Sequence, residues 1–271
     1  MEAPDVVITG TRLEREIEDA PVRTQVVDRE TLKQRKARNL TEALQYTSGV
    51  RVETNCQNCG FTQLRLNGLG GAYTQVLIDG LPSFSGLASV YGLEQLPAEM
   101  IQRVEIVKGG GSSLYGASAV AGVVNVITRQ PRENFMSGVT SFDMVGLRAP
   151  DLRVSVDGGV VSSNGRVAAH LFATSRRRGE LDLNDDGFSE LTRLRQLAGG
   201  VNLFMQVVDG GQLRLTFHGI QEYRRGGDSL DLPAHEVGVA EELQTERLQG
   251  ELRWEHRVNK LVSYGLGDVL A

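Results

Sequence analysis

The sequence predicts an α+β domain with a mixed β-sheet, followed by antiparallel strands of an incomplete β-barrel. Helix and strand patterns mix before Pro131, whereas alternation of apolar and polar residues fills nearly all of the chain after it. Glycine is frequent, at 32 of 271 residues, and proline is rare, at 7. This balance is typical of tight turns and close backbone contacts rather than of disorder.

Charge and hydropathy narrow the function classes. The formal net charge is −5, so the chain lacks the basic field of a general nucleic-acid binder, and we expect no nucleic-acid partner. No run of about 18 apolar residues occurs, which argues against a transmembrane helix. Barrel strands remain compatible with membrane insertion, because their alternation leaves only a weak hydropathy signal.

The first part contains short elements with recognisable ends. Asn39 is the predicted N-cap of a helix, with Glu42 reaching back in a capping box. Glu30–Ala37 is also helix-like, and Leu96–Ile101 is a short helical turn. Strands are predicted at Arg23–Val27, Thr62–Asn67, Gln75–Ile78, Arg103–Lys108 and Val120–Thr128. Arg65, Arg103 and Glu105 are expected to form ion pairs.

The second part contains seven candidate strands with one apolar and one charged face. In the sixth strand, Leu248, Leu252 and Trp254 share one face, and Glu251 and Arg253 lie on the other. A soluble β-sandwich alternates in the same way, so this pattern alone leaves both folds open. The candidates are Phe135–Leu147, Leu152–Val161, Arg166–Arg176, Leu191–Val208, Gln212–Arg224, Leu243–Val258 and Leu261–Ala271.

The connections favour a transmembrane barrel. Tight turns at Ser163–Gly165, Asp209–Gly211 and Asn259–Lys260 alternate with longer polar connections at Arg177–Glu190 and Arg225–Glu242. Short turns at one end and long loops at the other are typical of outer-membrane barrels. Seven strands leave open edges that lipid cannot satisfy, so we expect the chain to be a fragment.

Four stretches of the first part resemble the TonB-dependent outer-membrane receptors, in that family's order and spacing. The stretches from Arg103 to Gly109 and from Ser113 to Thr128 are the most specific, although Gly110 stands where a proline is common. The helix stretch departs from the family at Ser48, also in place of a proline. The other stretches are Pro4–Arg12, Asn39–Val50, and Leu64–Gly68 with Gln75–Pro82.

The resemblance implies a domain order and a function. It implies a TonB box and connecting segment at residues 1–12, a plug domain at 13–131, and the first seven or so barrel strands at 132–271. The implied function is import of a scarce ligand across the outer membrane, energised through TonB, with lipid as a further contact and no enzymatic activity. A ferric siderophore is favoured, with haem, cobalamin and other metal complexes open. The alternative is a surface binding protein or adhesin that does not transport.

The resemblance also implies site residues. The TonB box comprises Asp5, Val6, Val7, Ile8 and Thr9, an extended segment that can add as a strand to a sheet edge of TonB. The alternative is that this segment is only a terminal strand of the plug sheet. Loops 55–61 and 82–91 would form plug apices, which makes Asn58, Phe61, Phe84 and Tyr91 candidate ligand contacts. Packing of the aromatic residues against protein is the competing interpretation.

Cys56 and Cys59 are the only cysteines and have C-x-x-C spacing in a polar loop. In an oxidising compartment such a pair favours a small structural disulfide. A redox site would be expected at a strand-to-helix junction, and a zinc site would need two further ligands. Metal binding and thiol–disulfide chemistry stay open as alternatives. A phosphate-binding loop at Val107–Ser113 is disfavoured because no Gly-Lys-Ser/Thr occurs there.

The acidic segment Asp182–Glu190 is a candidate calcium loop, and the sequence predicts no other cofactor. Asp182, Asn184, Asp186 and Gly187 match positions one, three, five and six of a calcium-binding loop. The twelfth position is Arg193 rather than a bidentate glutamate, so the segment is not an EF-hand. A solvated acidic loop is the competing interpretation.

Overall fold

A computed structural model describes residues 6–7, 15–16, 22–56, 60–82, 88–109, 112–257 and 263–270. The described residues divide into two compact units, one within 1–55 and 61–129 and the other within 56–60 and 130–271. No helix among them is both long enough and apolar enough to cross a membrane.

The first unit mixes helices and strands. Its elements are β1 (Val6–Val7), β2 (Arg15–Glu16), β3 (Thr24–Asp28), α1 (Arg29–Gln34), α2 (Leu40–Leu44), β4 (Val50–Cys56), β5 (Phe61–Leu66), β6 (Thr74–Ile78), β7 (Leu81–Pro82), α3 (Ala88–Gln95), β8 (Ile101–Lys108), α4 (Ser112–Tyr115) and β9 (Gly122–Thr128). Short 3₁₀ turns lie at Gly71–Tyr73, Ala98–Met100 and Ala117–Ala119.

A five-stranded sheet with the order β3-β8-β9-β6-β7 forms the centre of this unit. Strands β6 and β9 run parallel, and the other neighbours are antiparallel, which confirms the predicted mixed sheet. Strand β9 is buried along its whole length, as its nearly all-apolar sequence requires. The core cluster contains Leu77, Val107, Ala119 and Val123, with Val22 and Tyr115 packed against it.

Side-chain caps begin the first two helices. Asp28 Oδ1 accepts a hydrogen bond from Thr31 N (2.8 Å), and hydrogen bonding by Thr31 holds the pKa of Asp28 below its ordinary value. Asn39 Oδ1 accepts from Glu42 N (3.0 Å), which confirms the predicted N-cap. The Glu42 carboxylate reaches back to Arg38 N (2.8 Å), one residue before the position expected of a capping box.

The second unit is an antiparallel sheet in simple sequence order. Its strands are β10 (Phe135–Val145), β11 (Ala149–Val161), β12 (Val167–Arg178), β13 (Arg193–Val208), β14 (Gly211–Gly227), β15 (Ala240–Arg257) and β16 (Ser263–Leu270). All seven predicted strands are present, with boundaries shifted by up to three residues. Strands β10 and β16 lie at the two ends of this order, so the sheet is open within the described residues.

Candidate functional site

The predicted TonB box overlaps β1. Val6 lies opposite Glu16 and Val7 opposite Arg15, in a two-stranded antiparallel pair. Asp5, Ile8 and Thr9 lie outside the described residues. An extended strand with a free edge is what strand addition requires, and within the described part of the chain β1 pairs with β2 alone. TonB binding by this segment stays a prediction.

The predicted apical segments are more regular than the loops expected from the sequence. Phe61 is half-buried and begins β5, and Tyr91 lies within α3, so the loop interpretation of residues 82–91 is wrong from Ala88 onwards. Thr62 Oγ1 donates to Glu94 Oε1 (2.7 Å) and thereby ties β5 to α3. Asn58 and Phe84 lie outside the described residues. Ligand contact by any of the four stays a prediction.

The cysteine segment is only partly described. Cys56 is the last residue of β4, and Cys59 lies outside the described residues, so their disulfide stays a prediction. Gly60, which groups with the second unit, accepts a hydrogen bond at its carbonyl oxygen from Arg224 Nη1 of β14 (2.7 Å). Its φ of +64° favours glycine, and a Cβ there would lie 2.5 Å from the same Nη1 atom.

Burial in the second unit is the reverse of that in a soluble sandwich. On β11, Asp151, Arg153, Ser155 and Asp157 are at most 5% exposed, whereas the valines and leucine between them are more than 40% exposed. The same inversion occurs on β15, where Leu248 and Leu252 are exposed and Glu251 is buried. Apolar side chains outside and polar side chains inside are typical of the wall of a transmembrane β-barrel.

The inward face is largely polar, with a few buried apolar side chains such as Phe172, Phe204 and Ile220 among the polar ones. Its described contacts include Arg176 Nε with Asp151 Oδ1 (2.9 Å), Arg253 Nε with Glu251 Oε1 (2.6 Å), Arg224 Nη2 with Glu222 Oε1 (3.3 Å), His170 Nε2 with Asp157 Oδ2 (3.5 Å) and His218 Nε2 with Asn202 Oδ1 (2.9 Å). Opposite charges stay buried here because they neutralise one another, as a water-filled or plugged lumen requires.

Three carboxylates converge in the acidic loop. Oxygen atoms of Asp182, Asp186 and Glu190 lie within 4.8 Å of one another. Glu190 occupies the ninth position of the loop, a ligand position that the sequence reasoning did not assign. Asn184 Nδ2 donates to Asp186 Oδ2 (2.9 Å), so its amide nitrogen rather than its oxygen faces that carboxylate.

Backbone N–H groups of the loop already donate hydrogen bonds to all three of these carboxylates. Asp182 Oδ2 accepts from Gly187 N (2.8 Å), Asp186 Oδ1 from Phe188 N (2.9 Å), and Glu190 Oε2 from Leu183 N (2.6 Å). These hydrogen bonds hold the backbone of the loop around its own carboxylates. Hard oxygen donors of this kind suit calcium, but the calcium site stays a prediction.

Ion pairs connect the longer loops at this end of the sheet. Arg148 pairs with Asp185 (2.8 Å), and Arg193 pairs with Glu180 (2.6 Å) and Asp231 (3.6 Å). The Arg193 hydrogen bond holds the pKa of Glu180 below its ordinary value. Arg193 begins β13, so these pairs join the connection 146–148 to 179–192 and join both 179–192 and 228–239 to the start of β13.

Comparisons with known proteins identify the family. Residues 16–123 match the family model of the TonB-dependent receptor plug domain. The iron-regulated outer membrane virulence protein of Vibrio cholerae is 33% identical over 141 residues, which cover 49% of this chain and 21% of that protein. The vitamin B12 transporter BtuB of Vibrio cholerae is 29% identical over 124 residues, covering 46% and 20% respectively.

Solved structures share the fold of both units. The siderophore receptor PirA from Acinetobacter baumannii superimposes with a TM-score of 0.74 at 20% identity, covering 91% of this chain and 39% of that one. The ferric enterobactin receptor PfeA from Pseudomonas aeruginosa gives 0.68 at 15% identity, covering 87% and 39%. Residues 16–123 therefore match the plug domain of TonB-dependent receptors, and both units share the fold of solved siderophore receptors.

The plug-domain match confirms one prediction, and the small part of each relative that is covered limits the others. The family consists of receptors and transporters rather than enzymes, which confirms that the chain is not an enzyme. The chain spans about a fifth of the length of the curated relatives it matches. The ligand, the energy source and the partners of the whole receptor therefore belong to the proposal that follows.

Proposed function

We propose that the chain forms the plug and adjoining barrel strands of an outer-membrane receptor that imports a ferric siderophore or similar metal chelate. The observation that carries this proposal is a plug domain followed by strands with buried charges and exposed apolar side chains. The names of its structural neighbours support a siderophore ligand. A vitamin ligand is the second candidate, favoured by the similarity to BtuB.

TonB would supply the energy through the segment from Asp5 to Thr9. Strand addition uses main-chain hydrogen bonds, which tolerate changes of side chain but not the loss of an N–H group. We therefore expect Ile8→Pro to abolish binding of the periplasmic TonB domain to the chain, measured by calorimetry. Ile8→Ala is the matched control and should bind within about twofold of wild type, because it keeps the N–H.

Each outcome of this experiment has a distinct meaning. Loss of binding in both variants would indicate recognition of the side chain and would contradict strand addition. Full binding by Ile8→Pro would place the TonB contact elsewhere. A folded chain that does not bind TonB at all would refute energised import and favour a surface binding protein. Ferric enterobactin and vitamin B12, added separately, would distinguish the two candidate ligand classes.

Membrane insertion can be tested on the outward face of the sheet. Phe217 lies near the middle of the apolar face of β14 and is half-exposed. We expect Phe217→Arg, introduced into the receptor with its complete barrel, to lower the free energy of unfolding in lipid vesicles by about 2–4 kcal/mol, because a charge at the bilayer midplane is costly. Urea titration of the vesicle-inserted protein measures this loss.

Leu232→Arg provides the matched control. Leu232 is also about half-exposed, but it lies in the connection 228–239 beyond the strands. The same substitution there should change the free energy of unfolding by no more than about 0.5 kcal/mol. Equal losses at the two positions would contradict a lipid-facing strand surface.

A further inference from the structure

The outward side chains of the second unit lie in rows, because opposed residues of an antiparallel sheet point to the same face. One row places Arg177 of β12 opposite Arg195 of β13, and Arg195 opposite Tyr223 of β14. Both arginines are exposed. Leu197, two residues further along β13 and therefore on the same face, is exposed and apolar.

The position of this row relative to the apolar band follows from the register. At the end of the sheet that carries the turn at 209–210, one row contains Met205, Leu213 and Trp254. This row is called the lowest row. Arg195 precedes Met205 by ten residues on β13. At a rise of about 3.4 Å per residue and a tilt of about 40°, this separation gives roughly 26 Å of height.

That height matches an apolar band of about 25 Å, so the two arginines lie at its far boundary. The far boundary is the end with the longer connections 179–192 and 228–239, which in such barrels faces outwards. Tyr223 in the same row and Trp254 in the lowest row are aromatic residues at the two boundaries, as in an interfacial girdle. The arginines would therefore lie at the level of the outer-leaflet headgroups.

Two like charges directly opposite each other destabilise a sheet unless an anion lies between them. Neighbouring arginines have partners, since Arg176 pairs with Asp151 and Arg193 with Glu180. Arg177 and Arg195 form no hydrogen bond or ion pair among the described residues.

In the next row towards the loops, Arg193, which pairs with Glu180 and Asp231, lies opposite Arg225. Arg225 is 2% exposed, and its buried Nη2 has no hydrogen-bond partner in the described part of the chain. Apart from Glu180 and Asp231, which pair with Arg193, the acidic residues near this face lie beyond Tyr223, on β15. Glu242 accepts from Tyr223 Oη (3.2 Å) and Glu246 from Gln221 Nε2 (3.4 Å). The row of Arg177 and Arg195 is therefore the basic part of the β12–β13 side of the face.

We propose that Arg177 and Arg195 bind the phosphate group of a phosphorylated glycolipid in the outer leaflet, with its acyl chains against the apolar rows below. Guanidinium groups recognise phosphate by paired, charge-assisted hydrogen bonds, and an apolar surface directly below suits a lipid rather than a free anion. This inference rests on the proposed membrane location of the strands and assigns a function to surface outside the transport path.

The test compares lipid affinities of the double variant Arg177→Gln/Arg195→Gln with those of the wild-type protein in detergent. Native mass spectrometry would measure binding of lipid A that carries its phosphates and of dephosphorylated lipid A. We expect the double variant to bind the phosphorylated lipid about thirtyfold more weakly and the dephosphorylated lipid unchanged. Arg166→Gln is the control, since Arg166 is an exposed arginine at the opposite end of the sheet.

Three results would overturn the inference: equal affinity in wild type and double variant, an equal loss in Arg166→Gln, or displacement of the lipid by inorganic phosphate at equal concentration. TonB binding, measured on the same variants, separates this inference from the proposed function. The double variant should keep TonB binding. If wild type and both variants fail alike to insert into lipid vesicles, the proposed membrane location fails, and this inference fails with it.

Discussion

Replacing Gly122 by alanine is expected to lower the free energy of unfolding of the first unit by about 3–5 kcal/mol. Gly122 begins β9 with a φ of +145°, where residues other than glycine are strained. A Cβ there would lie 2.1 Å from the carbonyl oxygen of Val107, 2.9 Å from Leu66 Cδ1 and 3.2 Å from Gly109 N. The Val107 oxygen is backbone of the adjacent strand β8, and Gly109 N directly follows that strand, so neither can move without disturbing the sheet. Denaturant titration followed by circular dichroism measures the loss.

Gly68→Ala separates steric overlap from backbone strain. Gly68 has a φ of +81°, and a Cβ there would have no heavy atom within 4 Å. We expect this control to lose only about 1 kcal/mol, from backbone strain alone. Similar losses at both positions would show that contact with the Val107 carbonyl does not restrict Gly122.

The strands of the second unit were predictable because each one is long and strictly alternating. What the sequence did not reveal is which face is buried. Leu252 and Glu251 alternate equally well in a sandwich and in a barrel, and only the burial pattern, with Glu251 inside, distinguishes the two. Alternation of apolar and polar residues predicts that a segment is a strand, whereas the fold class depends on which of the two faces is buried.

The first unit was predicted less completely, for local reasons. Helix α3 was missed because its eight residues include Val90 and Gly92, which are poor helix formers, and its contacts with β5 are non-local. Strand β4 was missed because polar residues follow Val52. The loop position of Tyr91 was wrong because α3 was missed, and that of Phe61 was wrong because β5 begins one residue earlier than predicted.

Site residues were predictable where they lie close together in the sequence. They were less predictable where they lie on separate strands that pair with each other. Asp182 and Asp186 were found from their spacing, whereas the pairing of Val6–Val7 with Arg15–Glu16 leaves no comparable signal in the sequence. The cross-strand pair Arg177 and Arg195 shows the same limit. These residues are 18 positions apart in the chain, and only the register of β12 against β13 brings them together.

The buried ion pair of the plug sheet predicts a second large effect. Glu105 is fully buried in β8, opposite Val26 on one side and Asn125 on the other. Its carboxylate accepts hydrogen bonds from Arg103 Nε and Nη2 (2.8 Å each), an ion pair internal to the first unit. Arg103→Leu would leave the carboxylate buried without this cation, and we expect a loss of about 3–5 kcal/mol in the free energy of unfolding.

Two further variants decide whether the ion pair itself is responsible for that loss. Arg51→Leu removes an arginine of the exposed pair with Glu53 and should cost at most about 1 kcal/mol, because solvent screens that pair. Adding Glu105→Leu to Arg103→Leu should recover most of the lost stability, since replacing both buried charges by apolar groups is often neutral. If the double variant is no more stable than Arg103→Leu, the arginine acts by packing its aliphatic stem rather than by neutralising Glu105. If it recovers, the loss in Arg103→Leu comes from leaving the buried Glu105 carboxylate without the arginine that pairs with it on the same strand.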